Sequence, residues 1–455
     1  MTLDQALLWT GATLRGAPRA AAFPTVCTDT RALSPGCLFV ALRGERFDGH
    51  SFAAKAVEAG AAAVLADSSA DIPADVPALL VPDTAAALRA LAAGWRKAVG
   101  AAVLGVTGSV GKTTTKELSA HLLSAVGAVA RTPGNFNNSV GLPLSLLAMP
   151  EGTRFGVFEA GTNHPGEIAP LASLMSPDAA ILTNVGPVHI GNFGSEERIA
   201  DEKADLLRAV PPGGFCFLDA RGAHFGFLSA QCAGRRVVSV SADPATAADY
   251  VAVSADPSTG QFTVEEAEGG GRYALRAPKP GAHQIADALL AVAAARKFGG
   301  VPWDSIAERI GSAPNAPMRW EVVERGGVRW TNDAYNANPV SMAAAVAAFA
   351  DAERAASRRV VVLGDMGELG AGREEALHRG VGAAVAAAAP DVLVCVGAKA
   401  AWIADGAVAA GFPASRIERA ADAPSAKPLL ATLVRPGDAV LLKASRSVGL
   451  ERAMP

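Results

Sequence analysis

The sequence predicts an α/β protein of three domains, with a doubly wound sheet carrying a phosphate loop at its centre. Short apolar runs alternate with alanine-rich helical stretches, as they do where helices cover both faces of a parallel sheet. One of those runs leads directly into a glycine-punctuated loop and then a helix. At 455 residues the chain is too long for one core, and its 50% hydrophobic content lets each domain bury an interior of its own.

Residues 1–97 form the first expected domain. Residues 38–42 read as a strand, 52–59 as a helix and 62–65 as another strand, while 68–82, with three prolines and several aspartates, reads as loop. Residues 98–312 form the second domain. Its strands are 101–106, 155–158 and 180–182, and Ser195 caps a helix that runs to Val210 and stops at Pro211. Residues 236–277 are β-rich, with Gly269-Gly270-Gly271 as a hairpin turn, and 284–298 read as an apolar helix. The third domain, 313–455, has strands at 359–363, 392–396 and 439–442 between alanine-rich helices, an α/β layout again but without a second phosphate loop.

The central stretch is Gly108-Ser109-Val110-Gly111-Lys112-Thr113-Thr114. Glycines at 108 and 111 allow the tight bend that aims successive N–H groups at a phosphate. The helix start adds partial positive charge, Lys112 can reach a terminal phosphate, and the Thr113 hydroxyl can hold Mg²⁺. Val106 stands where the full Walker spacing has glycine, so the pattern is Gly-x-x-Gly-Lys-Thr.

Other residues are ambiguous alone. Glu159 ends a strand in Glu-Ala-Gly-Thr-Asn and suits Mg²⁺, although on its own an ordinary strand-end acid is the favoured reading. His189 follows the 180–182 strand, and a lone loop histidine is usually a hydrogen-bonded surface group rather than a ligand. Lys203 sits within a helix, where a solvated lysine is the usual reading. Asn135, Asn137 and Asn138 crowd a glycine-flanked segment that suggests a polar substrate surface, or an Asx-rich turn. Asp333, Asn336 and Asn338 crowd a second such segment, and Lys443, Ser445 and Arg446 close the last strand, either as a site or as a solvated cluster.

The net charge of −3 gives no electrostatic case for nucleic acid or an anionic membrane surface. Five cysteines without Cys-x-x-Cys spacing fit reduced thiols in a cytoplasmic protein better than a disulfide frame or zinc site. The N-terminus lacks the basic region of a signal peptide, and alanine-rich runs such as 380–390 are too short to span a bilayer, so no stable membrane insertion is expected.

Taken in order, these segments resemble the Mur ligase family of ATP-dependent peptide-bond-forming enzymes over nearly the whole chain. The shortened phosphate loop is that family's, which accounts for Val106. The segments 134–138, 335–342, 364–370 and 443–446 are most similar to the member that joins D-alanyl-D-alanine to UDP-N-acetylmuramoyl-tripeptide. In the first domain Thr28-Asp29-Thr30-Arg31, Gly44 and Asp48-Gly49-His50 resemble a UDP-sugar-binding pattern. The Asp-Asn-Pro-Arg motif of the sister enzyme, which adds the third amino acid, is absent.

The resemblance implies a Rossmann-like C-terminal domain, and roles for the ambiguous residues. Glu159 and His189 become Mg²⁺ ligands, and Lys203 the lysine carbamylated to position metal. Arg319 and Asp333 lie near the ATP phosphates and ribose, and Asn135, Asn137, Asn138, Thr162, Asn336, Asn338, Lys443, Ser445 and Arg446 contact substrate. The family's His-Asn/Gln-x-x-Asn pattern stands here as His283-Gln284-Ile285-Ala286-Asp287. Asparagine both donates and accepts, whereas an ionised aspartate only accepts, so the adenine contact at Asp287 departs from the family's.

The implied reaction passes the γ-phosphoryl group of ATP to a carboxylate. The amine of the dipeptide then displaces phosphate from the acyl phosphate, in a site that excludes water by domain closure. The small-molecule substrates and a monomeric protein are the expected partners and state. A GTPase would need an Asn-Lys-x-Asp motif, which is missing, and a small-molecule kinase leaves 332–342 and the third domain without a role. The sister ligase and an ATP-gated binding module remain the alternatives.

Overall fold

The computed structural model describes residues 1–44, 47–370 and 372–455. Its strands form three sheets, so the α/β class predicted from the sequence is the one found. By compactness the chain divides into two units. One comprises Met1–Gly105, Gly127–Gly161 and Glu167–Asp178, and the other Val106–Val126, Thr162–Gly166 and Ala179–Pro455.

The first unit holds β1 (Thr13–Arg15), β2 (Val26–Cys27), β3 (Leu38–Val40), β4 (Ala63–Asp67) and β5 (Ala78–Val81), in the order β1-β5-β4-β3-β2. β2 to β5 pair parallel, and β1 adds antiparallel at the edge. Phe39, Val64 and Ala66 pack on Ala53, Ala56 and Val57 of the Ala53–Glu58 helix, one apolar face against one apolar stripe. The 68–82 stretch is not all loop, because its last part is β5. Pro77 and Pro82 sit outside the strand, leaving Ala78-Leu79-Leu80-Val81 free to pair with β4, where burial of the apolar run outweighs the turn-rich composition around it. The Thr84–Val99 helix follows, started by the Asp83 carboxylate, which accepts from two first-turn N–H groups, and ended at left-handed Gly100.

The largest sheet begins with β6 (Ala102–Thr107), within which the chain passes from the first unit to the second. In the first unit it continues as β6-β8-β7, with β7 at Val129–Arg131 and β8 at Phe155–Glu159. In the second unit β9 (Ala179–Leu182), β10 (Phe215–Asp219), β11 (Arg236–Ser241), β12 (Tyr250–Asp256), β13 (Gln261–Glu266) and β14 (Arg272–Arg276) run outward from β6 in that order. Pairing is parallel from β9 to β12 and antiparallel from β12 to β14, so the β-rich 236–277 stretch is a meander added to a parallel sheet.

The third sheet also lies in the second unit. Its strands are β15 (Glu321–Arg325), β16 (Val328–Asn332), β17 (Arg358–Gly364), β18 (Val392–Val396), β19 (Ile417–Ala420) and β20 (Asp438–Lys443), in the order β15-β16-β20-β17-β18-β19. Period-two alternation along β17 sends Val361 and Leu363 into the core under the helices Pro339–Ala352, Glu374–Ala388 and Ala400–Ala409. Val360 and Val362 face the Ala423–Leu433 helix instead. Among the described residues no helix is long and apolar enough to cross a membrane.

The Glu374–Ala388 and Ala400–Ala409 helices approach so closely that a Cβ at Gly382 would overlap Ile403 O and Ala407 N, and one at Gly406 the backbone of Arg379. Alanine normally favours a helix over glycine by about 1 kcal/mol. Here overlap with backbone outweighs that, and Gly382→Ala is expected to destabilise by about 1–3 kcal/mol. Chemical denaturation measures it; a stabilised variant would show that the helices part easily.

Candidate active site

The site starts from β6. Its buried apolar run delivers the chain to Gly108, where any Cβ would overlap Thr183 Oγ1, and then to Gly111, whose φ of +84° favours glycine. Gly111 is the N-cap of the Lys112–Leu123 helix and brings no capping side chain, which leaves the helix start suited to an anion.

The loop is held by the segment after β9. Asn184 accepts from Val110 N through Oδ1 and donates to Val110 O through Nδ2, both at 3.0 Å, and its carbonyl accepts from Ser109 N at 3.0 Å. Ser109 Oγ donates to Gly186 O (3.1 Å) and accepts from Gly186 N (3.0 Å). Lys112 Nζ folds over the bend onto Gly108 O (2.8 Å) and Ser109 O (3.2 Å).

A cavity of about 350 Å³ opens in front of this loop, within the size range of small-molecule sites. It gathers Ser109 to Thr114 with Asp287, Arg319, Asp333, Asn336, Asn338 and Lys443, all in the second unit. The Arg319 guanidinium lies 4.2 Å from the centre of the Tyr335 ring. Asp333 Oδ2 accepts from Lys443 Nζ at 2.6 Å and Oδ1 from Trp320 N at 3.1 Å, so Lys443 is a buried, paired cation rather than part of a solvated cluster. Asn338 caps the Pro339–Ala352 helix, accepting from Ser341 N while Ser341 Oγ accepts from Asn338 N. Ser445 Oγ accepts from Gly367 N (2.8 Å), and Arg446 pairs with Glu451 (2.8 Å).

Buried charges shape the electrostatics. Burial pushes the Asp287 carboxyl up to about 7, although the Lys279 ammonium pulls the other way. This carboxyl packs against Gly111, where a Cβ would overlap it. Burial brings Lys279 down to about 8 and His283 to about 4, so His283 is neutral near pH 7. Burial, reinforced by the Lys112 charge, brings Lys203 down to about 7 within the Glu196–Arg208 helix. His189 takes a left-handed φ of 56°, with Nδ1 2.7 Å from Glu368 Oε2. Burial, with help from Lys112 and Lys203, lowers its pKa against the pull of Glu368. Thr162 Oγ1 donates to His164 O in a local turn.

The remaining predicted residues lie in the first unit. Glu159 is buried, its backbone N–H donates to Thr132 Oγ1, and its Oε1 accepts from Asn137 Nδ2 at 2.7 Å. Asn138 makes the Asx turn onto Gly141, and Asn135 is exposed. Of the 28–31 segment, Thr28 is half-buried and Thr30 opens a short 3₁₀ turn that Asp29 caps. Asp29 and Arg31 form a two-pronged ion pair, which holds the Asp29 carboxyl down to about 2. Gly44 closes a turn onto Phe47 O. His50 Nε2 accepts from Asp67 N (2.9 Å), so the ring proton is on Nδ1, facing Asp48 Oδ1 at 2.5 Å. Among the described residues no three His, Cys, Asp or Glu side chains cluster as a ready metal cage.

Family models match three consecutive stretches: the Mur ligase family catalytic domain over residues 24–96, the Mur ligase middle domain over 106–295, and the Mur ligase glutamate ligase domain over 318–446. A *Bacillus subtilis* protein named UDP-N-acetylmuramoyl-tripeptide–D-alanyl-D-alanine ligase is 36% identical, covering 94% of this chain and 91% of its own. The *Escherichia coli* protein of the same name is 39% identical over 82% and 81%. The chain belongs to the Mur ligase family. Two solved family structures share its fold. MurF from *Acinetobacter baumannii* has a TM-score of 0.88 at 29% identity, covering 99% of this chain and 97% of that one. MurF from *Thermotoga maritima* in complex with ADP has a TM-score of 0.79 at 28% identity, over 94% and 96%.

Sequence reading of this Mur ligase overlooked Asn184 as the loop's clamp and Lys279 in the cavity wall. Lys279 stands between two prolines just before a helix, a setting that does not separate a buried lysine from a solvated one. Asn184 had no signal beyond its place after a strand.

Two outcomes follow from this geometry. Asn184→Ala removes both side-chain bonds to Val110 and is expected to cost about 1–3 kcal/mol, read from thermal unfolding; an unshifted melting temperature would show that the loop holds itself. For Asp287 the folded pKa, about 7, exceeds the ordinary 3.8. Folding therefore takes up a proton, and stability falls as pH rises from about 4 to 7. Asp287→Asn should be more stable than the native chain at pH 8, by at most about 4 kcal/mol, with the gap closing towards pH 4. A gap independent of pH would contradict burial as the cause.

Proposed function

We propose that this protein is an ATP-dependent ligase that joins D-alanyl-D-alanine to UDP-N-acetylmuramoyl-tripeptide. Its products are the UDP-N-acetylmuramoyl-pentapeptide precursor of peptidoglycan, ADP and phosphate. The observation that carries this is similarity along almost the whole chain to ligases of that name, joined to a clamped phosphate loop facing a cavity of fitting size. Residues 1–97 take the UDP-sugar peptide, 98–312 ATP and 313–455 the dipeptide, in a monomer working in the cytoplasm.

In this reading the loop N–H groups and Lys112 bind the β- and γ-phosphates, and Arg319, Asp333 and Asp287 line the rest of the nucleotide site. Lys112 offsets the negative charge that builds as the phosphoryl group passes to the substrate carboxylate. Asn135, Asn137, Asn138 and Thr162, with Asn336, Asn338, Lys443, Ser445 and Arg446, contact the peptide ends, and Thr28 to Arg31, Gly44, Asp48 and His50 the UDP-sugar. Among these, Asn338, Ser445, Arg446 and His50 also hold the local fold through the bonds described above.

The buried Thr113 hydroxyl at the helix start is an oxygen donor of the kind a hard divalent cation takes while keeping most of its water. Thr113, Glu159 and His189 are the residues that would hold Mg²⁺, which supplies charge neutralisation of the phosphates. Burial keeps His189 neutral, as a ligand must be, and Glu368 faces its other nitrogen.

Lys203 fits its expected modification. An amine with a pKa of about 7 is half neutral at pH 7, and only the neutral amine adds carbon dioxide, losing a proton to become an anionic carbamate near the Lys112 charge. A carbamate signal from ¹³C-bicarbonate, lost in Lys203→Arg along with on the order of 100-fold in kcat, is expected; full activity in Lys203→Arg would contradict it. For the activity itself, phosphate release from ATP with UDP-N-acetylmuramoyl-tripeptide should require D-alanyl-D-alanine, and the product should gain the dipeptide less water. Turnover with a single amino acid and the UDP-N-acetylmuramoyl-dipeptide would move the protein to the sister ligase.

A further inference from the structure

Four of the five cysteines, scattered in the sequence, fall into two pairs in space. Cys27 ends β2 and Cys37 directly precedes β3, and the parallel pairing of Val26 with Leu38 brings their sulfurs to 3.2 Å. Between them runs the 28–36 loop, which carries Asp29 and Arg31. Cys37 is fully buried, whereas Cys27 is partly open to solvent. A second pair, Cys216 and Cys232, also interacts, but both are buried, as is Cys395. The open pair therefore differs from the closed one in access rather than in contact.

We propose that Cys27 and Cys37 form a reversible thiol–disulfide site that ties together the two ends of the 28–36 loop. The sulfurs need to close by only about 1.2 Å to reach bonding distance. The hydrogen bond between the two sulfurs lets the pair share one proton, drawing Cys37 down to about 7 and pushing Cys27 up, and passage of that proton across the 3.2 Å contact puts the thiolate on Cys27. The co-reactant is a low-molecular-weight disulfide. Attack by the accessible Cys27 sulfur, its proton passed to Cys37, breaks the S–S bond of the co-reactant, forms a mixed disulfide and expels one thiolate. Cys37 then attacks the Cys27 sulfur, forms the internal bond and expels the second thiolate. The two protein thiol protons end on the two leaving groups, so two protein thiols are oxidised and one small disulfide is reduced. Such transient bonds are the kind that occur in reducing compartments.

The consequence for substrate rests on the assignment of the 28–31 segment to the UDP-sugar. The test is exposure of the folded full-length protein to oxidised glutathione, followed by alkylation and non-reducing peptide mapping. One Cys27–Cys37 linked peptide pair is expected, reversed by dithiothreitol, with Cys216, Cys232 and Cys395 alkylated only after unfolding. A glutathione adduct persisting on Cys27 of the native chain, or both thiols remaining free, would overturn the site. Cys37→Ser is expected to hold a lasting adduct at Cys27. Because that position is buried, Cys27→Ser gives a second check, with neither adduct nor disulfide expected; an adduct on Cys37 would overturn entry at Cys27. The oxidised enzyme should show at least a threefold change in KM for UDP-N-acetylmuramoyl-tripeptide and none for ATP, and an unchanged KM would overturn the link to substrate. The peptide map needs no turnover, so its failure is distinct from failure of the ligase reading.

Discussion

The structure around the cavity depends on one constraint: a loop of two glycines, a serine and a valine must keep a shape that its own sequence does not enforce. Glycine permits the bend but also permits many others, at a cost in entropy on folding. The 183–186 segment removes that freedom. Thr183 leaves no room for a Cβ at 108, Asn184 engages Val110 on both sides of its amide, and Ser109 and Gly186 exchange a pair of hydrogen bonds. Since β6 and β9 are neighbours in the sheet, the clamp and the loop leave adjacent strands at the same end. Open α/β sheets place ligands at this end, and the hydrogen bonds show how the place is made rigid.

Rigidity is joined to a dry environment. Lys203, Lys279, His283 and Asp287 are all shifted towards their neutral forms, and in each the largest cause is burial. Groups held near the point of losing or gaining a proton are a mark of functional sites, because a small change in neighbouring charge moves them. Asp287 is the clearest case, because a carboxyl held partly protonated near neutral pH can donate a hydrogen bond as well as accept one.

The sequence made the class, the phosphate loop and most strands legible because each rests on a local signal: an apolar run of strand length, a capping serine at 195, a glycine where φ must be positive. β5 was missed because its four apolar residues lie among prolines and aspartates, and only pairing with β4 and β1 makes them a strand. The same limit applies to the site. Lys112 and Thr113 stand in a motif and could be read directly, whereas Asn184 and Lys279 gain their roles from residues far along the chain. Asn338 shows the reverse: its amide suggests substrate chemistry in the sequence, and the fold uses it as a helix cap. The thiol pair at 27 and 37 is of the same kind, because strand register brings the sulfurs together while spacing in the sequence suggests nothing.

The central claim is that this protein activates a carboxylate by phosphorylating it, and isotope transfer tests that most directly. UDP-N-acetylmuramoyl-tripeptide labelled with ¹⁸O in its reacting carboxylate would be turned over with ATP, Mg²⁺ and D-alanyl-D-alanine, and the released phosphate analysed by mass. An acyl phosphate carries one carboxylate oxygen as its bridge, so the account predicts phosphate bearing one ¹⁸O per turnover. Peptide bond formation with unlabelled phosphate would contradict it.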